Sequence, residues 1–418
     1  MRRLLQSLLA TLARAVIRRQ RPRIIGITGS VGKTSAREAT AAVLRPHYRV
    51  RSATENHNNE IGLPLTIISE RTPGRSAIGW FCVLARGLVL SFARSSRYPD
   101  VLVLEYAADH PGDLVYLLNI ARPNIAVVTA VGPAHAEFFK SIERIAAEKQ
   151  RLVAALPRDG IAVLNIDDDL VAAMSERTRA RVVTYGFDEA AEVCAIEHQV
   201  RYDDAGFPVG IAFKAVVGGS VVPAALLGCL GRGHTSAALV AIAVGHALGL
   251  HLVELSRALR DYVPQPGRSR IIAGIKNTTL LDDSYNASPL AVAAALEMLA
   301  GLQVRGRRIA VLGDMLELGS LTEHEHRHMG ELAAASGLAL LVCVGEASRH
   351  LAAGARRAGM SADAIFEFHD ALSAGRFIQD RIMSGDVILV KGSRRTRMER
   401  IVRELMAEPL HADELLCR

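Results

Sequence analysis

The run GITGSVGKTS, residues 26–35, constrains the fold of this 418-residue chain more than any other feature. The residues before it, Arg23–Ile25, predict the end of a buried strand, and the sequence from Ser35 onward predicts a helix. A glycine-rich turn between a strand and a helix points backbone N–H groups at one place, where an anion can bind. Lys33 could then reach the outer phosphates of a nucleotide, and the Thr34 hydroxyl could hold Mg²⁺.

The spacing of this loop departs from the standard G-x-x-x-x-G-K-[ST] pattern. Ile27 occupies the position of the first glycine, and Gly26 and Gly29 supply the turn instead. An ordinary strand–helix turn that happens to contain Gly-Lys-Thr is the alternative interpretation. The combination G-x-x-G-K-T between a strand and a helix favours a phosphate site.

Short apolar runs separated by helical stretches follow the loop, namely Asp100–Glu105, Ile125–Thr129 and Ile161–Asn165. Such runs are typical of a parallel sheet that is covered on both faces. Tyr48–Arg51 predicts another strand, and alternating pieces within residues 181–225 predict antiparallel strands at the sheet edge.

A second α/β unit is predicted beyond the turn-rich segment Pro264–Gly267. Its strands and helices are expected at Thr279–Asp282, Pro289–Leu302, Arg308–Leu312, Glu323–Ala335, Ala339–Val344 and Val387–Val390. The predicted fold class is therefore α/β. We expect a basic amphipathic helix in residues 1–23, a central P-loop domain with a mostly parallel sheet in 24–263, and a C-terminal Rossmann-like, doubly wound domain in 264–418.

The composition narrows the classes of partner. The net charge is +7, but aromatic residues make up 5% of the chain and do not alternate with basic ones, which argues against a stacking surface for nucleic acid. Five widely spaced cysteines without a C-x-x-C pair argue against a zinc ribbon and a disulfide framework, and favour a cytoplasmic setting. We expect a monomer that acts on small molecules.

Two apolar segments leave a membrane role open. Residues 1–23 are rich in arginine. Their apolar stretches are broken by Arg14 and are too short to span a bilayer, which needs about 20 apolar residues. They predict a helix that lies either on a membrane surface, at its inner face, or on the body of the protein. Gly79–Phe92 predicts a helix in or against the core, with membrane contact as the alternative.

Charged residues at strand ends are candidates for metal and phosphate binding. Glu105 ends a buried strand at the edge where open α/β sheets bind ligands, so it is either a Mg²⁺ ligand or a solvated strand terminus. His135 lies in the loop after the next strand, where it could contact metal or phosphate. Lys149 lies on a predicted helix over residues 141–156, and there the spacing alone predicts a solvated face.

Polar clusters supply further candidates. Asn56, Asn58 and Asn59 share one loop and either form turns or present amides to a substrate. In the second unit, the stretch Asp282–Asn286 and the stretch Lys391–Arg395 each follow a strand, so they could bind anionic or polar ligands. Arg268 could reach back into a cleft between the domains.

Taken together, these residues resemble the Mur ligase family over residues 24–402. Within that family the resemblance is to the branch that adds D-alanyl-D-alanine to UDP-N-acetylmuramoyl-tripeptide. The motifs that carry it are GITGSVGKTS (26–35), NHNNEIGLPLT (56–66), VLEYAADHPGDL (103–114), DDSYNASP (282–289), VLGDMLELG (311–319) with His326, and VKGS (390–393).

The resemblance implies an ATP-dependent, Mg²⁺-requiring ligase that activates a carboxylate as an acyl phosphate and then joins it to an amine. It implies that Lys149 is carbamylated. The implied catalytic residues are Lys33, Glu105, His135 and Lys149, and the implied metal ligands are Thr34, Glu105, His135 and Lys149. Implied nucleotide contacts are Thr28, Gly29, Ser30, Gly32, Lys33, Thr34, Ser35, His234, Arg268 and Asp283. Implied substrate contacts are Asn56, Asn58, Asn59, Tyr285, Asn286, Lys391, Ser393 and Arg394.

The sequence also departs from the family pattern. The usual amino-terminal UDP-binding domain is not recognised before the P-loop, Thr235 replaces an expected asparagine after His234, and Tyr106 and Ala107 replace a methionine and a glycine. Two alternatives therefore stay open. One is a Mur-like ligase that joins an amino acid or peptide to a different carboxylate, membrane-linked or polymeric. The other is a P-loop protein that binds nucleotide without catalysis.

Overall fold

The computed structural model describes residues 2–53, 58–69 and 73–417. Among these residues, nine strands form the first sheet, in the order β2-β3-β1-β4-β5-β6-β7-β8-β9. The strands are β1 Arg23–Thr28, β2 Val50–Ser52, β3 Val101–Glu105, β4 Ile125–Val128, β5 Ile161–Asn165, β6 Arg181–Gly186, β7 Val193–Tyr202, β8 Pro208–Val217 and β9 Ser220–Leu227.

Ten helices of the described chain accompany this sheet. They are α1 Arg2–Gln20, α2 Lys33–Leu44, α3 Gly62–Ile68, α4 Ala77–Phe92, α5 Asp113–Ile120, α6 Ala136–Phe139, α7 Ile142–Ala154, α8 Asp169–Ala172, α9 Arg232–Ala247 and α10 Leu252–Ala258.

The first sheet is mostly parallel, as predicted, with an antiparallel edge. Strands β2 to β7 pair in parallel, and β7, β8 and β9 pair antiparallel. The prediction of antiparallel strands over 181–225 is wrong for β6, which pairs in parallel with β5. The reason is the helical crossover through α8, which returns the chain to the same end of the sheet before β6 begins.

Alternating residues of the inner strands supply two cores. Ile25 and Val127 pack with α2 and α9 on one face, and Ile24 and Ala126 pack with the layer that contains α1, α3 and α7 on the other. A strand whose neighbours on both faces are apolar layers must itself be apolar throughout, which explains the continuous Val/Ile/Leu runs of the sequence.

The second sheet has the order β10-β11-β15-β12-β13-β14 among the described residues, with β10 antiparallel and the other pairs parallel. Its strands are β10 Arg270–Gly274, β11 Thr278–Asp283, β12 Arg308–Gly313, β13 Leu340–Val344, β14 Ile365–Phe368 and β15 Val387–Lys391. Its helices are α11 Pro289–Ala300, α12 Thr322–Ala335, α13 Ser348–Arg357, α14 Ala371–Arg381, α15 Glu399–Leu405 and α16 Ala412–Leu415.

The two apolar segments lie side by side. The apolar side of α1, including Leu9, Ala13 and Val16, is buried against the protein. Gln20 at the end of α1 donates hydrogen bonds to Leu90 O (2.6 Å) and Ala93 O (2.7 Å) at the end of α4. The structure therefore packs α1 on the body of the protein. Helix α4 packs by one face only, and much of it is exposed.

Candidate active site

The P-loop joins β1 to α2 through two glycines with positive φ. Gly29 has φ 151° and Gly32 has φ 82°, and Gly32 directly precedes the helix. A Cβ on Gly29 would lie 1.9 Å from Thr129 Oγ1, so no larger residue fits there. The tight approach of the loop to β4 leaves residues 30–35 lining a cleft, while Thr28 and Gly29 lie beneath them.

Lys33 lies inside this loop without an acidic hydrogen-bonding partner in the described chain. Its Nζ donates to Gly29 O (2.6 Å) and Ser30 O (3.3 Å). Burial lowers the pKa of Lys33, and the nearby carboxylate of Glu105 opposes that shift. A lysine whose ammonium group is hydrogen-bonded to backbone carbonyls and not to a carboxylate is suited to bind an incoming polyphosphate.

Glu105 and Thr34 place oxygen donors side by side at the carboxyl ends of β3 and β1. Thr34 Oγ1 donates to Glu105 Oε2 at 3.2 Å, and Asn58 Nδ2 donates to Glu105 Oε1 at 3.1 Å. Arg37 lies 3.4 Å from the same carboxylate, which is almost completely buried. A hydroxyl and a carboxylate are the hard oxygen ligands that Mg²⁺ uses when substrate phosphates complete its coordination.

The described residues contain no group of three or more His, Cys, Asp or Glu side chains that could hold a metal ion. A divalent ion at this site would therefore depend on Thr34, Glu105 and ligand oxygens. His135 is held elsewhere: its Nδ1 lies 2.6 Å from Glu317 Oε2 and its Nε2 lies 3.2 Å from Asp109 Oδ1. Because Glu317 follows β12 of the second sheet, His135 joins the two walls of the cleft.

Lys149 is buried, with 3% of its surface exposed, so the spacing-based prediction of a solvated face is wrong. Its pKa is lowered to about 7, chiefly by burial and also by the positive charge of Lys33, while Asp109 and Glu148 oppose the shift. The side chain lies outside the lining of the cleft but close enough to Lys33 to be influenced by it. A buried amine that is substantially neutral near pH 7 can act as a nucleophile toward CO₂.

The opposite wall comes from residues at the ends of the second sheet's strands. Lys391 Nζ at the end of β15 donates to Asp283 Oδ2 (2.6 Å) and to Asn286 O (3.1 Å). The Arg268 guanidinium lies 4.3 Å from the centre of the Tyr285 ring. The ends of the parallel strands β11 and β15 bring Asp283, Tyr285 and Lys391 to one edge, and the segment before β10 adds Arg268.

Together the two walls enclose a cleft of about 600 Å³. It is lined by the P-loop, Asn58, Glu105 and His135 on one side and by Arg268, Tyr285, Lys391 and Arg394 on the other. The volume is that of a small-molecule site, and the excess of cations favours anionic ligands.

Comparison with known proteins agrees with this geometry. Family models match as "Mur ligase middle domain" over residues 85–245 and as "Mur ligase, glutamate ligase domain" over residues 267–394. The UDP-N-acetylmuramoyl-tripeptide–D-alanyl-D-alanine ligase of Mycobacterium tuberculosis H37Rv is 34% identical, with 92% of this chain and 73% of the relative covered.

This chain belongs to the Mur ligase family. The enzyme of the same name from Escherichia coli K12 is 31% identical over 94% of this chain and 78% of its own length. The crystal structure of MurF ligase from Thermotoga maritima in complex with ADP superposes with a TM-score of 0.78 at 26% identity, and covers 98% of this chain and 84% of that one. The predicted fold class and the predicted ligase class are therefore confirmed.

Several predicted site residues of this Mur ligase also have structural contacts. His234 is buried, with Nδ1 2.7 Å from the Tyr262 hydroxyl and Nε2 2.8 Å from Arg268 O. Ser393 Oγ accepts from Leu316 N at 3.0 Å. Both line the cleft, and their roles toward nucleotide and substrate stay predictions.

The three asparagines predicted as substrate contacts do not share one position. Asn58 lines the cleft, whereas Asn59 Oδ1 accepts from Gly62 N (2.9 Å) and Ile61 N (3.2 Å) and so begins α3. Asn56 lies outside the described residues. Arg394 also lines the cleft, and its Nη1 donates a hydrogen bond to Cys417 Sγ at 3.1 Å.

Sequence reasoning missed Asp109 and Glu317, the two carboxylates that hold His135. Both stand in motifs that carry the family resemblance, VLEYAADHPGDL and VLGDMLELG, so a signal was present. Nothing local in either motif indicates that the two residues meet, because Glu317 and His135 are 182 positions apart.

Proposed function

We propose that this chain is an ATP-dependent ligase that joins D-alanyl-D-alanine to the terminal carboxylate of UDP-N-acetylmuramoyl-tripeptide. The observation that carries the proposal is the single cleft in which a P-loop with Glu105 faces Arg268 and Lys391. A phosphoryl donor and an amine acceptor can meet there. The names of the relatives supply the substrates.

ATP is proposed to bind with its phosphates on the P-loop, residues 28–35, and on Lys33. Thr34 and Glu105 would hold Mg²⁺, which would neutralise phosphate charge as the anionic carboxylate approaches. Lys149 is proposed to carry a carbamate, formed when its neutral amine adds to CO₂ and releases a proton, so that the side chain would offer an anionic oxygen ligand. Its pKa of about 7 supports that role, because the neutral form is available near pH 7.

In the first step a carboxylate oxygen attacks the γ-phosphorus, the bond to the bridging oxygen breaks, and ADP leaves. In the second step the neutral amine attacks the acyl carbon, a proton is released, and the carbon–oxygen bond to phosphate breaks. The products are an amide and orthophosphate. The cations on both walls would stabilise the charge that develops, and the His135–Glu317 contact would hold the walls together and keep water out.

The C-terminal wall is proposed to position the second substrate. Lys391 and Arg394 suit the carboxylate of a dipeptide. Tyr285 and Asn286 lie at the same edge and could contact its backbone. Arg268 and Asp283 are proposed nucleotide contacts, as is His234, so the dipeptide and the nucleotide would meet on one wall.

The alternative is a Mur-like ligase whose carboxylate substrate is linked to a membrane or a polymer. The exposed apolar side of α4 next to the arginine-rich α1 favours this alternative. A nucleotide-binding protein without ligase activity is disfavoured, because Lys33, Glu105, His135 and Lys149 are all present.

The partners proposed are small molecules and not nucleic acid. The chain is proposed to be a monomer in the cytoplasm, with a peripheral location at the inner face of the membrane as the alternative. Peripheral contact through α1 alone would use Leu4 and Leu8, which are exposed, because Leu9, Ala13 and Val16 of that helix are buried. Among the described residues no helix is both long and apolar enough to cross a bilayer.

The test is isotopic. The muramoyl-tripeptide carboxylate is labelled with ¹⁸O and incubated with ATP, Mg²⁺ and D-alanyl-D-alanine. We expect one label in orthophosphate and a pentapeptide product in the mass spectrum. Unlabelled orthophosphate would refute the acyl phosphate. Turnover with another carboxylate but not with this one would show that the muramoyl-tripeptide is not the substrate. ATP turnover without either substrate would refute ligation.

A further inference from the structure

Helix α4 exposes a continuous row of large apolar side chains. Ile78, Phe81 and Phe92 are exposed by 77%, 72% and 75%. Leu88 and Val89 are also exposed, whereas Val83, Gly87 and Leu90 are buried against the protein. At about 100° per residue the exposed set occupies an arc of roughly 120° on one side of the helix. We call residues 78, 81, 82, 88, 89 and 92 the α4 stripe.

The surroundings of the α4 stripe are basic. Between Pro73 and Pro99 the sequence holds four arginines and no acidic residue. Arg86 lies on the same helix, next to the edge of the stripe, and Arg94 comes two residues after Phe92. Both side chains are exposed.

The neighbouring helix extends this basic rim. Arg18 and Arg19 are exposed in the last turn of α1, whose end is hydrogen-bonded to the end of α4 through Gln20. No acidic residue precedes Glu38 in the sequence. Arginine side chains thus flank the apolar row from two helices.

An apolar stripe with aromatic residues and an arginine rim has the chemistry of a surface that lies in the headgroup region of an anionic bilayer. The helix is 16 residues long, or about 24 Å, which is shorter than the roughly 30 Å hydrocarbon core. The stripe can therefore lie in the interface but cannot cross it. A protein partner would more often supply acidic residues opposite the arginines, and the test below separates the two cases.

We propose that the α4 stripe, with the arginines of α1 and α4 around it, docks this protein on the surface of an anionic lipid bilayer. The proposal concerns a face of the protein and is independent of which carboxylate the ligase activates. Phe81 and Phe92 enter the acyl boundary, and the arginines contact lipid phosphates.

The experiment uses the full chain with vesicles of phosphatidylcholine that do or do not contain one quarter phosphatidylglycerol. Partition is measured by flotation. We expect the protein to float with the anionic vesicles but not with the neutral ones, and to be released from the anionic vesicles at high salt.

Matched variants locate the surface. Phe81→Glu with Phe92→Glu should lower the partition coefficient more than tenfold, and Arg86→Gln with Arg94→Gln should lower it about fivefold per residue. The controls are Leu227→Glu with Leu410→Glu, which alter exposed apolar residues elsewhere, and Arg201→Gln with Arg403→Gln. The controls should bind like the unmodified protein.

Three results would overturn the proposal. The first is that the unmodified protein does not float with anionic vesicles, and the second is that the α4 variants bind as the controls do. The third is a dimer in sedimentation that Phe81→Glu with Phe92→Glu dissociates, without vesicle binding, which would make the stripe a protein interface. Unchanged unfolding midpoints of the variants ensure that lost binding does not reflect misfolding.

Discussion

Replacing Lys149 with methionine should make the central domain more stable while it removes activity. Lys149 is buried, and its pKa is lowered from 10.5 to about 7, chiefly by desolvation. The unfolded chain therefore binds more protons than the folded chain between about pH 7 and 10.5, so stability rises with pH across that window. Methionine has a similar length and no charge to desolvate.

The magnitude follows from the two pKa values. Burying this amine lowers the free energy of unfolding by about 4 kcal/mol at pH 7 and by about 2 kcal/mol at pH 9. The cost is smaller at pH 9 because the pH is closer to the pKa of the unfolded chain's lysine, so less free energy is needed to remove its proton. We therefore expect Lys149→Met to raise the free energy of unfolding by about these amounts at the two pH values. Lys214→Met is the control, since Lys214 is 44% exposed and should change stability by less than about 1 kcal/mol.

The assay is urea unfolding in CO₂-free buffer, followed by the fluorescence of Trp80. This side chain packs against the same core cluster as Leu152 and Val153, which flank Lys149 on α7, so it reports on the domain in question. A variant that is no more stable than the unmodified chain at pH 7 would refute the reasoning. A gain in the free energy of unfolding that is equal at pH 7 and pH 9 would also refute it, because the gain would then come from packing and not from the removed charge.

Three further outcomes are expected. Lys33→Ala should abolish substrate-dependent phosphate release because no other side chain of the loop carries a positive charge, whereas the exposed Lys276→Ala should leave release unchanged. Lys149→Ala should recover part of its activity in added acetate or formate, measured as phosphate release, and equal recovery of Lys33→Ala would contradict a carboxylate-like role for position 149. Lys391→Met should destabilise the protein by about 3–5 kcal/mol in calorimetry, because Asp283 loses its 2.6 Å partner and stays buried. Adding Asp283→Leu should restore most of the lost stability, and failure to do so would show that the broken ion pair is not the cause.

The sequence alone determined the kind of chain this is. Glycine and lysine at fixed positions between strand and helix patterns identify the P-loop, since positive φ and phosphate charge both demand particular residue types. Continuous apolar runs determined the parallel strands, because a strand covered on both faces must be apolar throughout. The observed starts and ends of β3, β5 and β12 agree with the predicted ones to within a residue.

The tertiary structure decided what the neighbours of each side chain are. Lys149 stands among charged residues on a helix whose sequence predicts a solvent-exposed face, and only the packing of α7 buries it. His135 and Glu317 meet because two sheets place their strand ends opposite each other across 182 residues. Helix α4 is apolar nearly all round, so its sequence could not tell which face packs. The position of α1 buries one side and leaves the stripe exposed. Local patterns follow from the geometry of the backbone, but burial and charge pairing depend on distant residues brought together by the fold.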